Sequence, residues 1–176
     1  MKNIVITGMG IRSCIGNTYN DVLKNLQAGK SGITKNETYS KMGFRSQIAG
    51  SISIELSDFI DRKLLRFMGE GSAYSYLAAQ DAINDSGLKE NDIQNEFTGV
   101  VVGSGTGSSK EIQRVIDVTR ERGMKRIGPY SVTKTMSNTT SAAISTFLKT
   151  QGVSYSIASA CTCLLYTSPS PRDYWS

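Results

Sequence analysis

Three short β-prone runs set the frame for this chain, because each ends at glycine or another small residue and helical patterns separate them. Ile4-Val5-Ile6-Thr7 stops at Gly8-Met9-Gly10. Gly99-Val100-Val101-Val102-Gly103 enters Ser104-Gly105-Thr106-Gly107, and Val153-Ser154-Tyr155-Ser156-Ile157 leads toward Ala160-Cys161. Runs of this kind predict buried strands. Asn17 or Thr18 caps an expected helix through Val22, Leu23 and Leu26, which Gly29 ends. Residues 57–86 form the strongest helical stretch, with Gly69 and Gly71 marking a break or a close helix contact and Gly87 ending it. Further helices are expected through Ile112, Val115, Ile116 and Val118, closing near Gly123, and from Ser137 or Asn138 through Leu148. Residues 30–57 are polar and turn-rich, with weak strand signals around 47–54. The alternation predicts an α/β layer architecture around a largely buried sheet.

Chemistry is bounded first by an absence. The 176 residues contain no histidine, which excludes an internal Ser-His or Cys-His pair and any His-ligated metal. Three cysteines, at 14, 161 and 163, build no disulfide framework, and Cys161-Thr162-Cys163 lacks the spacing of zinc or thioredoxin-like sites. No apolar run approaches the roughly 20 residues of a membrane span. The opening residues do not form a signal peptide, so the cytoplasm is the expected compartment. The formal charge of +5 admits nucleic acid, an acidic protein or a phosphorylated ligand as partner.

Two glycine-rich turns test as phosphate sites and fail. After Gly8 and Gly10, a dinucleotide fingerprint needs glycine at the position of Ser13. In the run from Gly103 to Lys110, the lysine follows serines instead of the glycine of a P-loop. The first reads as a glycine turn with no ligand, and the second as a flexible connection that lets backbone approach something closely. Cys161 has two readings of equal weight: a small buried hydrophobe, or a thiolate at a strand-to-helix turn, activated by a helix N-terminus. Cys14 reads as packing. Arg62, Lys63 and Arg66 form one basic group and Arg120, Arg122, Lys125 and Arg126 another. Solvated faces explain both, and an acidic partner would suit both. At the other end, Pro169-Ser170-Pro171 forbids the expected helix. The stretch 163–176 reads either as a natural flexible tail or, as favoured here, as an in-frame translation of transposon-end adapter sequence. The expected domain is therefore 1–162.

Five segments occur together in order: Ile4-Val5-Ile6-Thr7-Gly8-Met9-Gly10, Gly29-Lys30-Ser31-Gly32-Ile33, Asp61-Arg62-Lys63 with Arg66-Phe67-Met68, Gly128-Pro129-Tyr130, and Tyr155-Ser156-Ile157-Ala158-Ser159-Ala160-Cys161. Through them the chain resembles the N-terminal part of a β-ketoacyl-acyl-carrier-protein synthase over residues 1–162. The resemblance implies a thiolase-like fold, of which this would be the N-terminal half of a five-layered α-β-α-β-α architecture, truncated. It implies homodimers, decarboxylative Claisen condensation, and no cofactor beyond the phosphopantetheine of acyl carrier protein. Cys161 becomes the acyl-accepting nucleophile. Thr106 takes the position that limits the acyl channel, where the family usually has Gly or Ile, and Met136 a position reaching toward the partner's pocket. Lys63, Arg66, Arg122 and Lys125 match basic positions offered to the carrier protein, which displaces nucleic acid as the expected partner. In the family, two histidines and a lysine from the second half complete the site. Their absence, and the prolines where a small-residue helix should follow Cys161, imply a polypeptide that is inactive alone.

Rival expectations are a thiolase or polyketide ketosynthase, a non-catalytic chain-length or carrier-binding partner, and a fragment unable to fold. Histidines downstream would distinguish the first. Cys161 itself argues against the second. Exposed faces that favour aggregation would mark the third.

Overall fold

The computed structural model describes residues 3–159. They divide into two compact units. The first takes in residues up to Ile60 together with Tyr74–Leu88. The second joins Asp61–Ala73 to the residues from Lys89 onward.

In the first unit, helix α1 (Tyr19–Gln27) starts where Thr18 accepts a hydrogen bond from Asp21 N–H and stops before Gly29, whose φ of +62° suits glycine. Strand β1 (Ile33–Lys35) pairs antiparallel with β2 (Ile48–Gly50), Thr34 opposite Ala49. Between them lies a short helix α2 (Glu37–Lys41), capped by Asn36. The polar composition of this stretch hid β1 and α2, because their ends are set by a cap and a ladder instead of apolar periodicity. Cys14 packs here: its sulfur occupies space that side chains at Gly32 or Gly50 would need.

The stretch predicted as helical from 57 to 86 is divided. A 3-10 turn (Leu56–Asp58) and helix α3 (Arg62–Leu65) precede α4 (Glu70–Ser86). Gly69, at the break, sits where an added Cβ would stand 2.7 Å from Ser108 Cβ, whereas Gly71 faces open space. The residues of α4 up to Ala73 belong to the second unit and those from Tyr74 to the first.

The opening run departs from expectation. Residues 4–7 lie in no strand, and Ile4, Val5 and Ile6 are 99%, 71% and 85% exposed. A strand requires a ladder partner, and no described residue pairs with this run. The neighbouring glycines are held by helix packing instead. Side chains at Gly8 and Gly10 would collide with the carbonyl oxygens of Ala82 and Ala78, one turn apart on α4.

In the second unit, helix α5 (Glu90–Ile93) precedes strand β3 (Val100–Gly103), which pairs in parallel with β4 (Ser154–Ile157), Val101 opposite Tyr155. The crossover carries α6 (Ser109–Arg122), a 3-10 turn (Met124–Arg126), α7 (Ser131–Thr135) and α8 (Thr139–Leu148). Parallel pairing demands a long connection of this kind. The sheet is not largely buried among the described residues. Helix α8 packs on one face, where Ser156 Oγ donates to Ser141 Oγ at 2.9 Å, while Val101, Tyr155 and Ile157 stay exposed on the other.

Candidate functional site

The glycine loop that carries Thr106 leaves the carboxyl end of β3, the end of a parallel sheet where ligands bind in open α/β folds. Ser104 N–H donates to Ile157 C=O at 3.1 Å. This bond brings the start of the glycine loop 104–108 beside the segment that runs on through Ser159, although the two are over fifty residues apart in the chain. Cys161 lies outside the described residues, as do Cys163 and the whole expected tail 163–176.

Thr106 is exposed within the loop, and its carbonyl accepts a hydrogen bond from Ser104 Oγ at 2.7 Å. The next residue explains the glycine spacing. A side chain at Gly107 would strike the Thr135 carbonyl at the end of α7, and it would stand 3.3 Å from Met136 C. Gly107 therefore serves backbone approach, and the loop meets the segment carrying Met136.

Met136 is 45% exposed and lines a recess of about 320 Å³. Phe67, Ala142, Ala143 and Phe147 supply most of its remaining apolar wall. Thr106 is not among its lining residues. The far side of the recess is firmly held: Ala143 and Ile144 are buried, and Ser72 and Thr140 share a buried hydroxyl–hydroxyl bond of 2.8 Å.

The four cationic candidates are exposed. Lys63 is the second residue of α3, where the Asp61 carboxylate accepts its backbone N–H at 2.6 Å, and Arg66 caps the other end of the same helix. The Arg66 guanidinium lies 5.8 Å from the centre of the Tyr130 ring, and Phe67 meets that ring edge-on at 4.6 Å. Arg122 ends α6 and Lys125 lies in the following 3-10 turn. Tyr130 lies five residues beyond Lys125 in the chain, so this contact ties Arg66 to the segment that follows the second basic group. Spacing alone shows two separate groups. The contacts of Arg66 and Phe67 with Tyr130 are visible only in three dimensions.

Sequence reasoning also missed an ion-pair network. The Glu111 carboxylate accepts Arg114 Nε at 2.8 Å and lies 3.6 Å from Lys134 Nζ, and Arg114 Nη2 donates to Ser131 Oγ at 3.2 Å. The i,i+3 spacing of Glu111 and Arg114 was the available signal. The Lys134 arm had none. Among the described residues, no group of three or more His, Cys, Asp or Glu side chains is placed to hold a metal ion, and no helix is long and apolar enough to cross a membrane.

With this geometry in place, comparisons with known proteins converge. The family described as "Beta-ketoacyl synthase, N-terminal domain" matches residues 1–166. The chain is 49% identical over 162 residues to 3-oxoacyl-acyl-carrier-protein synthase 1 of Haemophilus influenzae and 44% identical over 163 residues to the Escherichia coli protein of the same name. Each alignment covers 92% of this chain but 40% of the relative. Among solved structures, the ishigamide ketosynthase/chain length factor superposes with a TM-score of 0.78 at 25% identity, covering 87% of this chain and 39% of that one.

Proposed function

From the premise that this chain belongs to the β-ketoacyl synthases through their N-terminal domain, we propose that it forms the nucleophile-bearing part of a fatty-acid condensing enzyme. The Cys161 thiolate attacks the carbonyl of an acyl thioester. A new S–C bond forms and the bond to the carrier's sulfur breaks, that sulfur leaving as a thiolate that takes a proton from solvent. Malonyl carrier protein then loses CO₂, and the resulting enolate carbon attacks the acyl-enzyme carbonyl. That step forms the C–C bond, breaks the bond to Cys161 and returns the thiolate. The observation that carries this reading is the Ser104–Ile157 bond, which sets the glycine loop beside the strand leading to the cysteine. A nucleophile delivered at the end of a parallel strand stands where backbone N–H groups can receive the thioester oxyanion.

Carrier protein is the proposed partner, docking on Lys63, Arg66, Arg122 and Lys125. Thr106 and Met136 are the proposed acyl-channel positions. A homodimer working in the cytoplasm with no resident cofactor completes the proposal. In the family, histidines drive the decarboxylation, and this sequence holds none. The polypeptide alone is therefore proposed to be inactive.

The test is acyl loading in the full-length protein. An acyl carrier donor should add its acyl mass to the peptide containing Cys161, and malonyl carrier should then release a 3-oxoacyl product. Cys161→Ala should abolish both. Undiminished loading in that variant, or loading with no condensation product, rejects the proposal.

A further inference from the structure

We propose that Glu111 is a positioning residue that holds Met136 in place and so sets the acyl length its recess accepts; this rests on the condensing-enzyme reading above. Glu111 stands in the first turn of α6, where Ser108 Oγ accepts its backbone N–H at 3.4 Å. Its side chain is 16% exposed. The carboxylate engages Lys134 directly and reaches Ser131 through Arg114. Ser131 is the first residue of α7 and Lys134 the last but one, so one carboxylate ties both ends of that helix to α6.

A helix of five residues has no stability of its own. No side-chain cap from Tyr130 holds its start. Its position is decided by contacts, among them the partly buried, charge-assisted Glu111 network and the bond that Thr139 Oγ1 donates to the Thr133 carbonyl. Helix α7 passes the chain directly to Met136, and its Thr135 carbonyl rests against Gly107. A shift of α7 therefore moves the methionine and the glycine loop together. The α8 wall of the recess is fixed by its own burial, so the Met136 side is the adjustable one. An unbranched thioether follows such shifts readily.

The test uses the full-length protein with two readouts. Glu111→Ala should speed amide exchange across residues 131–136 by about tenfold. It should also change the short-chain to long-chain kcat/KM ratio about fivefold, through the KM of the acyl donor, with malonyl decarboxylation preserved. Glu111→Gln keeps an acceptor for Arg114 but loses the charge facing Lys134, and should fall between. Lys134→Gln removes one arm only and replaces Glu111→Ala if that variant does not fold. Unchanged exchange in these variants overturns the clamp. Faster exchange with unaltered acyl preference overturns the specificity role. Should the unsubstituted protein load no acyl group, the preceding proposal fails instead, and exchange still decides the clamp.

Discussion

In the first unit the best-placed cation points inward, and in the second the cations of interest point out. Arg12, with its side chain 8% exposed, pairs with Asp81 on α4 and donates from Nη1 to the carbonyls of Ile11 and Asn17 at 2.8 and 2.7 Å. Lys63, Arg66, Arg122 and Lys125 make no such inward commitment and stay in solvent. Glycine, by contrast, has the same role in both units. Gly8 and Gly10 admit α4 backbone, and Gly107 admits the end of α7. Glycine-rich turns here are packing devices. Charge holds the fold in both units, through Arg12 and Asp81 in the first and through Glu111, Arg114 and Lys134 in the second, and the exposed cations of the second unit are the proposed docking groups.

The largest expected effects test the glycines. Gly10→Ala in the first unit and Gly107→Ala in the second should each cost about 3 kcal/mol by denaturant unfolding, because backbone must move to admit the Cβ. Gly71→Ala, facing open space in α4, should instead stabilise by about 0.5 kcal/mol. A loss at Gly71 as large as at Gly10 would remove the close-approach explanation.

Next in size is the inward cation. Arg12→Met should cost about 2 kcal/mol, since it strands a pair that is buried on one side only, Asp81 being 40% exposed. The outward cations should behave oppositely. Lys63→Glu with Arg66→Glu should leave the unfolding midpoint nearly unchanged, while carrier-protein affinity at low salt falls about tenfold and the difference shrinks as salt rises. Equal affinity at low salt would end the docking assignment and blur the contrast between units.

The smallest effect is a pH dependence in the first unit. Burial pushes the Tyr76 phenol above its ordinary 10.0. The folded state then keeps a proton that the unfolded chain releases, so stability should hold below pH 10 and decline as pH rises from there toward the folded pKa. Tyr76→Phe should flatten that decline in an alkaline unfolding series.

Much of the helix pattern could be read from the residues, because caps and stops are local. Thr18, Gly29, Gly87 and Gly123 mark helix ends as expected, the three glycines at φ of +62°, +70° and +79° respectively. Helix α7 escaped notice because a five-residue helix shows no periodicity and owes its place to Glu111 and its partners. Residues 4–7 misled for the converse reason: their composition suits a strand, but pairing depends on a neighbour, and none of the described residues supplies one.

The same division runs through the candidate site. Family membership and the identity of the nucleophile, basic and channel candidates follow from residue order, since motifs record which side chains a fold retains. Which of them meet was settled by packing. The parallel register put the start of the 104–108 loop beside the end of β4, the Tyr130 ring came to face Arg66, and one carboxylate came to hold the Met136 turn. Contacts of this kind join residues far apart in the chain, and no local propensity encodes them.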